Sequence, residues 1–222
     1  MTDVAIQLEQ VSYRYGDQLV FENLSLEIPA MKITVILGKS GSGKSTLLKL
    51  INGLLRPDEG RIWIGGIPLD YAHINQTRLK IGYAVQQIGL FPHLSIMANI
   101  SLPGVIAHWP RNKIRQRAEA LLQMVNLPLS YASKYPYQLS GGEQQRVGLC
   151  RSILLNPPII LLDEPFSSLD AGTKSGIHSE LLHLQREEPR CIVMVTHDEA
   201  EARLLGDVRL YFEKGILNRL DP

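Results

Sequence analysis

The sequence predicts an α/β fold in which a sheet core is interrupted by a mostly helical insertion. Two observations predict it. Short β-rich apolar runs, ITVIL at 33–37, IILL at 159–162 and IVMVT at 192–196, alternate with longer mixed segments, as buried strands alternate with covering helices. Between about 88 and 157 a helical pattern takes over, and strands return after it. With 222 residues, 45% apolar and 20% charged, the chain has the composition of one packed unit, not of a disordered one.

In chain order, AIQLEQVSYRY at 5–15 and LSLEI at 24–28 alternate loosely, as half-exposed strands do. ITVIL follows and stops at Gly38. LLKLINGLL at 47–55 reads as a helix closed by glycine and, soon after, by Pro57. RIWI at 61–64 and IGYAV at 81–85 are further short strands. In KIRQRAEALLQMV, Ile114, Ala118, Leu121, Leu122 and Val125 recur on one helical face. After IILLD and CIVMVTH, separated by the helical TKSGIHSELLHLQREE, VRLYF at 208–212 is a strand. YFEKGILNRL is a hairpin turning at Lys214-Gly215. The chain has no internal repeat and no low-complexity linker.

Composition excludes several classes. A formal net charge of +1 provides no field for nucleic acid. The opening MTDVAIQLEQ has no basic flank before an apolar stretch, which argues against a signal peptide. The longest apolar runs are too short to span a bilayer. Cys150 and Cys191 lie inside apolar runs without CxxC spacing, as buried free thiols in a reducing cytosol would. The six histidines show no HExxH-type spacing.

Three apolar strands run into polar chemistry: ITVIL into a glycine loop, IILL into Asp163-Glu164, and IVMVT into His197-Asp198. Ligands of parallel α/β sheets sit beyond the carboxyl ends of the strands. Gly38 to Ser45 fits G-x-x-x-x-G-K-[ST] between a strand and a helix, the context of a P-loop. Gly38, Ser40, Gly41, Gly43, Lys44, Ser45 and Thr46 are therefore the expected phosphate-binding set. Backbone N–H groups of the glycine-rich loop close around phosphate oxygens. Lys44 reaches the β- and γ-phosphates, and Ser45 supplies a hydroxyl to Mg²⁺. Asp163, after four apolar residues, is the expected Mg²⁺ carboxylate, and Glu164 the group that orients or deprotonates the attacking water. The ligand is a nucleoside triphosphate.

The stretch LSGGEQQRVGLCRSILL at 139–155 leaves two readings open. Ser140, Gly141 and Gly142 can form an anion site at a helix N-terminus. Equally, Ser140 with Glu143 three residues on can be a capping box.

LSGGEQQR closely resembles the LSGGQ signature of the ABC family of ATPases. GKSGSGKST, the glutamine of IGYAVQQ, IILLDEP, SSLD and VTHD follow in that family's order, and the likeness covers essentially the whole chain. It implies a P-loop NTPase (RecA-like) core, an N-terminal antiparallel β subdomain and an inserted helical subdomain at about 88–157. It also implies a head-to-tail dimer with a second copy, in which ATP lies between one copy's P-loop and the other's signature helix. Ser140, Gly141, Gly142 and Glu143 would then serve the partner's ATP. Glu143 departs from the usual glutamine of the signature. Tyr15 matches the residue that stacks on adenine, though a strand-core role is its alternative. Gln86 resembles the glutamine that approaches Mg²⁺ and the attacking water, Asp170 the acid lining the opposite site, and His197 the histidine that contacts the γ-phosphate.

A chain with one such domain and no membrane span resembles subunits that dock on transmembrane permease subunits. It is thus expected in the cytoplasm, peripheral on the inner face of the cell membrane. LFPHLSIMANI at 90–100 resembles the importer segment that meets the permease, which implies a solute-binding protein in the system. QQIGLFPH with YPYQLSGGEQQRVG looks most like uptake systems for osmoprotectants and quaternary amines, then for amino acids. Many osmoprotectant subunits continue into a C-terminal regulatory domain, and none is expected in this chain. The competing classes are a soluble ABC-type ATPase of cofactor assembly or nucleic-acid maintenance, and a P-loop kinase or non-hydrolysing scaffold. The last pair leaves LSGGE, SSLD and VTHD unexplained.

Overall fold

The computed structural model describes residues 3–85, 89–213 and 215–220. Its strands form two sheets. The first is antiparallel in the order β2-β1-β4-β5, built from β1 (Val4–Tyr15), β2 (Gln18–Pro29), β4 (Glu59–Ile64) and the two-residue β5 (Ile67–Pro68). β1 explains its own loose alternation. Ile6 and Leu8 are buried, then the buried set resumes at Val11 and Tyr13, one residue out of phase. The pairing shifts register between Leu8 and Val11, where Gln10 takes a left-handed φ of 49°. An extra residue at such a bulge changes which face the following side chains point to.

The second sheet has the order β10-β9-β3-β8-β7-β6. Its strands are β3 (Ile33–Gly38), β6 (Ile81–Ala84), β7 (Ile159–Asp163), β8 (Cys191–Thr196), β9 (Val208–Glu213) and β10 (Ile216–Arg219). All neighbours run parallel except the β9–β10 hairpin. Gly215 turns that hairpin with φ 80°, and Lys214 lies outside the described residues. Every residue of β3, β7 and β8 is buried, because both faces of the sheet are covered. Ile160, Leu162, Ile192 and Met194 face the helical side, while Leu161, Val193 and Val195 face the antiparallel sheet and α1 (Lys44–Ile51). The strands that carry the glycine loop, Asp163 and His197 are thus adjacent, in the order β3-β8-β7.

Between β6 and β7 the chain forms α3 (Ile96–Ile106), α4 (Arg111–Met124) and α5 (Gly141–Ile153), with two short 3₁₀ turns before α5. α4 buries Ile114, Ala118, Leu121 and Leu122, the face its periodicity predicts; each large apolar side chain contributes about 1.5–3 kcal/mol. α6 (Ala171–Glu187) and α7 (Glu199–Leu205) follow β7 and β8.

One helix differs from its sequence reading. α1 begins three residues earlier than expected, inside the glycine loop, and ends at Ile51, not at 55. Gly53, with φ 66°, leaves the helix, and the N–H groups of Leu54 and Leu55 turn back to the Lys49 carbonyl. A side chain at Gly53 would meet Ile74 Cδ1 at 2.4 Å, so the position needs glycine for space as well as for φ. α2 (Ile74–Arg78) and α7 escape sequence reading because one or two turns carry too little periodicity.

Candidate active site

The glycine loop spans from the end of β3 to the start of α1. Gly43 takes φ 109°, and an added Cβ would lie 2.8 Å from Val20 Cγ1; only glycine tolerates both. Lys44 is buried and its Nζ donates to the carbonyls of Gly38 (2.6 Å) and Lys39 (2.7 Å). Burial lowers the Lys44 pKa, and the charges of Glu164 and Asp163 oppose that shift. Ser45, in the first turn of α1, donates from Oγ to Asp163 Oδ1 at 2.9 Å.

Asp163 ends β7 and is buried. Burial raises its pKa, opposed first by the Ser45 hydrogen bond. Glu164 follows in the left-handed region with φ 46°, a costly conformation for a residue with a Cβ. Its N–H donates to the Val195 carbonyl at 3.0 Å. Its Oε2 lies 3.5 Å from Nδ1 of His197, which is the first residue past β8 and largely exposed. The three strand ends therefore deliver Lys44, Ser45, Asp163, Glu164 and His197 to one edge of the sheet.

A cleft of ≈330 Å³ lies over this edge, with Tyr15, Gly41, Lys44, Ser45, Thr46 and Glu164 among its walls. Ser40 and Gly43 line it too. Tyr15 is 45% exposed, lies in the cleft wall and makes a T-shaped contact with the Tyr13 ring at 5.0 Å; an exposed aromatic ring can stack on a flat ring. Its strand-core alternative is excluded by that exposure. A larger cleft of ≈800 Å³ shares Ser40 and Gly41 with the first and is also lined by Leu19, Lys39, Phe212 and Glu213. It lacks Ser45 and Glu164, so the smaller cleft is the one equipped for chemistry.

The signature segment lies elsewhere: none of Ser140, Gly141, Gly142, Glu143 or Asp170 lines the P-loop cleft. Ser140 caps α5, and its Oγ accepts the Glu143 N–H at 3.3 Å. The Ser140 N–H and hydroxyl donate to Glu143 Oε2 at 2.8 and 2.9 Å, and Tyr131 OH donates to Oε1 at 3.1 Å. The Ser140 N–H chiefly, with the Ser140 hydroxyl and Tyr131, holds the Glu143 carboxyl below its usual range. The capping box is formed, then, and Gly141 stays open, with no atom within 4 Å of where its side chain would begin. Asp170 caps α6 through the Thr173 N–H at 3.0 Å and is exposed. Gln86 lies outside the described residues.

Two buried polar groups escape sequence reasoning. Gln145 bonds to the Glu164 carbonyl and to Ser168. The ion pair of half-buried Lys174 with buried Glu201, 2.9 Å, ties α6 to α7, and Lys174 Nζ also lies 3.7 Å from Asp198 Oδ2. Neither sits in a glycine loop or at a strand end, the signals that find the other residues.

The family model for ABC transporters matches residues 21–167. The chain belongs to the ABC transporter family. It is 43% identical over 203 residues to the glycine betaine/carnitine/choline transport ATP-binding protein OpuCA of Bacillus subtilis (strain 168), covering 91% of this chain and 53% of that protein. The sulfate/thiosulfate import ATP-binding protein CysA of Nephroselmis olivacea is 40% identical over 217 residues, 98% of this chain and 62% of that one. The chain thus spans about half the length of the first curated relatives it matches. Among solved structures, the dimeric bacterial ABC transporter cassette MJ0796 superposes with a TM-score of 0.90 at 36% identity, over 98% of this chain and 99% of that one. The same cassette in a post-hydrolysis state bound to ADP and Pi gives 0.89 at 35% identity, again over 98% and 99%. The fold read from the sequence is that of these ABC ATPase cassettes.

Proposed function

We propose that this chain is the ATP-hydrolysing subunit of an ABC importer, working as a head-to-tail pair of copies docked on transmembrane permease subunits. The observation that carries this reading is the division of the site. One edge of the sheet gathers Lys44, Ser45, Asp163, Glu164 and His197, while the Ser140–Glu143 cap forms no part of that cleft's lining. A second copy would bring its own cap to the open side. The dimeric cassettes that this chain resembles support that pairing.

The donor set fits a hard divalent cation. Ser45 Oγ and Asp163 Oδ1, 2.9 Å apart, are oxygen donors of the kind that would hold Mg²⁺ together with nucleotide phosphates. Bound there, Mg²⁺ would neutralise charge on the phosphate oxygens. Lys44 would exchange the carbonyls of Gly38 and Lys39 for phosphate oxygens, and Glu164 would orient and deprotonate the attacking water. His197 would hold the γ-phosphate and, 3.5 Å from Glu164, keep that carboxylate aimed. Tyr15 would stack on the base. In the partner's site, Ser140, Gly141, Gly142 and the N-terminus of α5 would complete the cradle, with Glu143 and Asp170 beside it.

A groove of ≈520 Å³ between β6 and the helical segment supports docking on a permease. Leu79, Tyr83, Leu102, Ile106 and Arg151 line it, and Val105 and Ile106 at its side are more than half exposed. Asn99, fully buried, holds the 91–95 segment by accepting from the Phe91 N–H and donating to the Phe91, Leu94 and Ser95 carbonyls. No helix among the described residues is long and apolar enough to cross a membrane. Attachment to the inner face of the membrane would run through the permease. Import is supported by the relatives' printed roles, glycine betaine/carnitine/choline transport and sulfate/thiosulfate import; a solute-binding protein in the system would follow from the importer reading. Steady phosphate release from ATP and Mg²⁺ with no acceptor, together with co-purification of a polytopic membrane protein, tests the reading. Phosphate transfer to an acceptor alone, or no membrane partner, would overturn it.

A further inference from the structure

Gln145 is 7% exposed and lies in the second turn of α5, five residues after the Ser140 cap. Its amide is used at both ends. Nε2 donates to the Glu164 carbonyl at 2.9 Å; Oε1 accepts from the Ser168 N–H at 3.3 Å and from the Ser168 hydroxyl. The Glu164 carbonyl also accepts from the Ser167 N–H and hydroxyl, at 3.3 and 3.1 Å. The left-handed backbone of Glu164 is therefore held on three sides: by β8 at its N–H, by the following turn, and by α5. Ser168 and Leu169 in turn pack on the first turn of α5, 3.2 and 3.1 Å from where a Gly142 side chain would begin.

We infer that Gln145 is a positioning residue that fixes the carboxylate of Glu164 in its own chain and makes it sensitive to the placement of α5. The inference rests on the proposed function, in which the α5 cap meets the nucleotide held by the partner. A tilt of α5 on engaging that nucleotide moves Gln145, and with it the Glu164 carbonyl. Each copy would thereby adjust its own catalytic base according to whether it has gripped its partner's nucleotide. A single neutral amide suits this role because it supplies a donor and an acceptor without placing a second charge beside Asp163 and Glu164.

Mixed pairs separate this from a general structural role or a contact across the dimer. A minority of active copies is assayed in excess Glu164→Gln copies, so that each active copy pairs with an inactive one. Gln145→Leu in the active copy should lower kcat about tenfold or more, with the KM for ATP within about twofold. Gln145→Leu placed in the excess Glu164→Gln copies should leave the rate of wild-type active copies within about twofold. The reverse pattern, with loss only when the change is in the excess copies, would overturn the inference. So would full activity in both arrangements, or equal loss in both. Gln145→Glu, which keeps the acceptor for Ser168 and removes the donor to Glu164, should reproduce the first result if Gln145→Leu does not fold. Failure of wild-type copies to hydrolyse ATP at all would overturn the proposed function instead.

Discussion

Ser140 and Glu143 share three hydrogen bonds: the serine hydroxyl and N–H both donate to one carboxylate oxygen, at 2.9 and 2.8 Å, and the serine oxygen accepts the Glu143 N–H at 3.3 Å. Of the two readings open in the sequence, the capping box is the one formed, with the serine hydroxyl turned inward to Glu143; the anion site belongs to the proposed function. Glu143→Gln keeps an acceptor for the Ser140 N–H, so the cap should survive with a change below about 0.5 kcal/mol, whereas Glu143→Ala should cost about 0.5–2 kcal/mol. Glu143→Gln also removes a negative charge from the expected phosphate side and should tighten ATP-driven association several-fold, read by sedimentation. The Glu143 carboxyl sits below its ordinary 4.5, so its stabilisation is complete above that pH and fades as pH falls through the folded value. Glu143→Gln should lose that pH dependence; a melting curve equal to that of Glu143→Ala would count against the cap.

Asp163 is placed for function at a cost to the fold. Burial lifts its pKa above the ordinary 3.8, so the charged form is disfavoured in the folded chain. The resulting stability is present below pH 3.8 and is lost as pH rises through the folded value. At neutral pH without nucleotide, Asp163→Asn should therefore raise the melting temperature by about 2–4 °C per kcal/mol recovered. The gain should vanish toward pH 3, and Mg²⁺-dependent hydrolysis should be abolished. A lower melting temperature at neutral pH would contradict this.

Glu164→Gln preserves shape and removes the base. Turnover should fall by about 10²–10⁴-fold, while ATP binding persists and the closed pair accumulates on size exclusion. Wild-type turnover in this variant would remove Glu164 from the role of base.

Cys150 and Cys191 are free and buried. Burial raises both thiol pKa values, that of Cys191 to about 12, so neither forms thiolate near neutral pH. Neither should react with a maleimide in the native state, and both should react at once in denaturant. Labelling of the native chain at the rate of a free thiol would overturn this.

Much of this was legible in the sequence because it depends on short-range pattern. The apolar runs of β3, β7 and β8 announce strands buried on both faces, and their polar ends announce the site. The one-face spacing of Ile114, Ala118 and Leu121 announces α4. What stayed hidden depends on contacts distant in the chain. The bulge at Gln10 and the early end of α1 at Ile51, just before Gly53, are set by backbone conformations, the latter also by the nearness of Ile74 to Gly53. Gln145 looks like any polar residue on a signature helix; its value comes from Glu164 and Ser168, 19 and 23 residues away. Resemblance, not periodicity, supplied the dimer.

In the proposed function a complete catalytic centre needs two copies, because Ser140 and Asp170, assigned there to the partner's nucleotide, line no part of their own chain's P-loop cleft. The most direct test is phosphate release per milligram of protein measured across dilution, with Ser140→Arg as a partner-blocking control. Specific activity should climb with concentration as pairs form and collapse in Ser140→Arg, although each copy of that variant still binds nucleotide. Constant specific activity down to concentrations where sedimentation finds only single copies would rule out a centre shared between two copies.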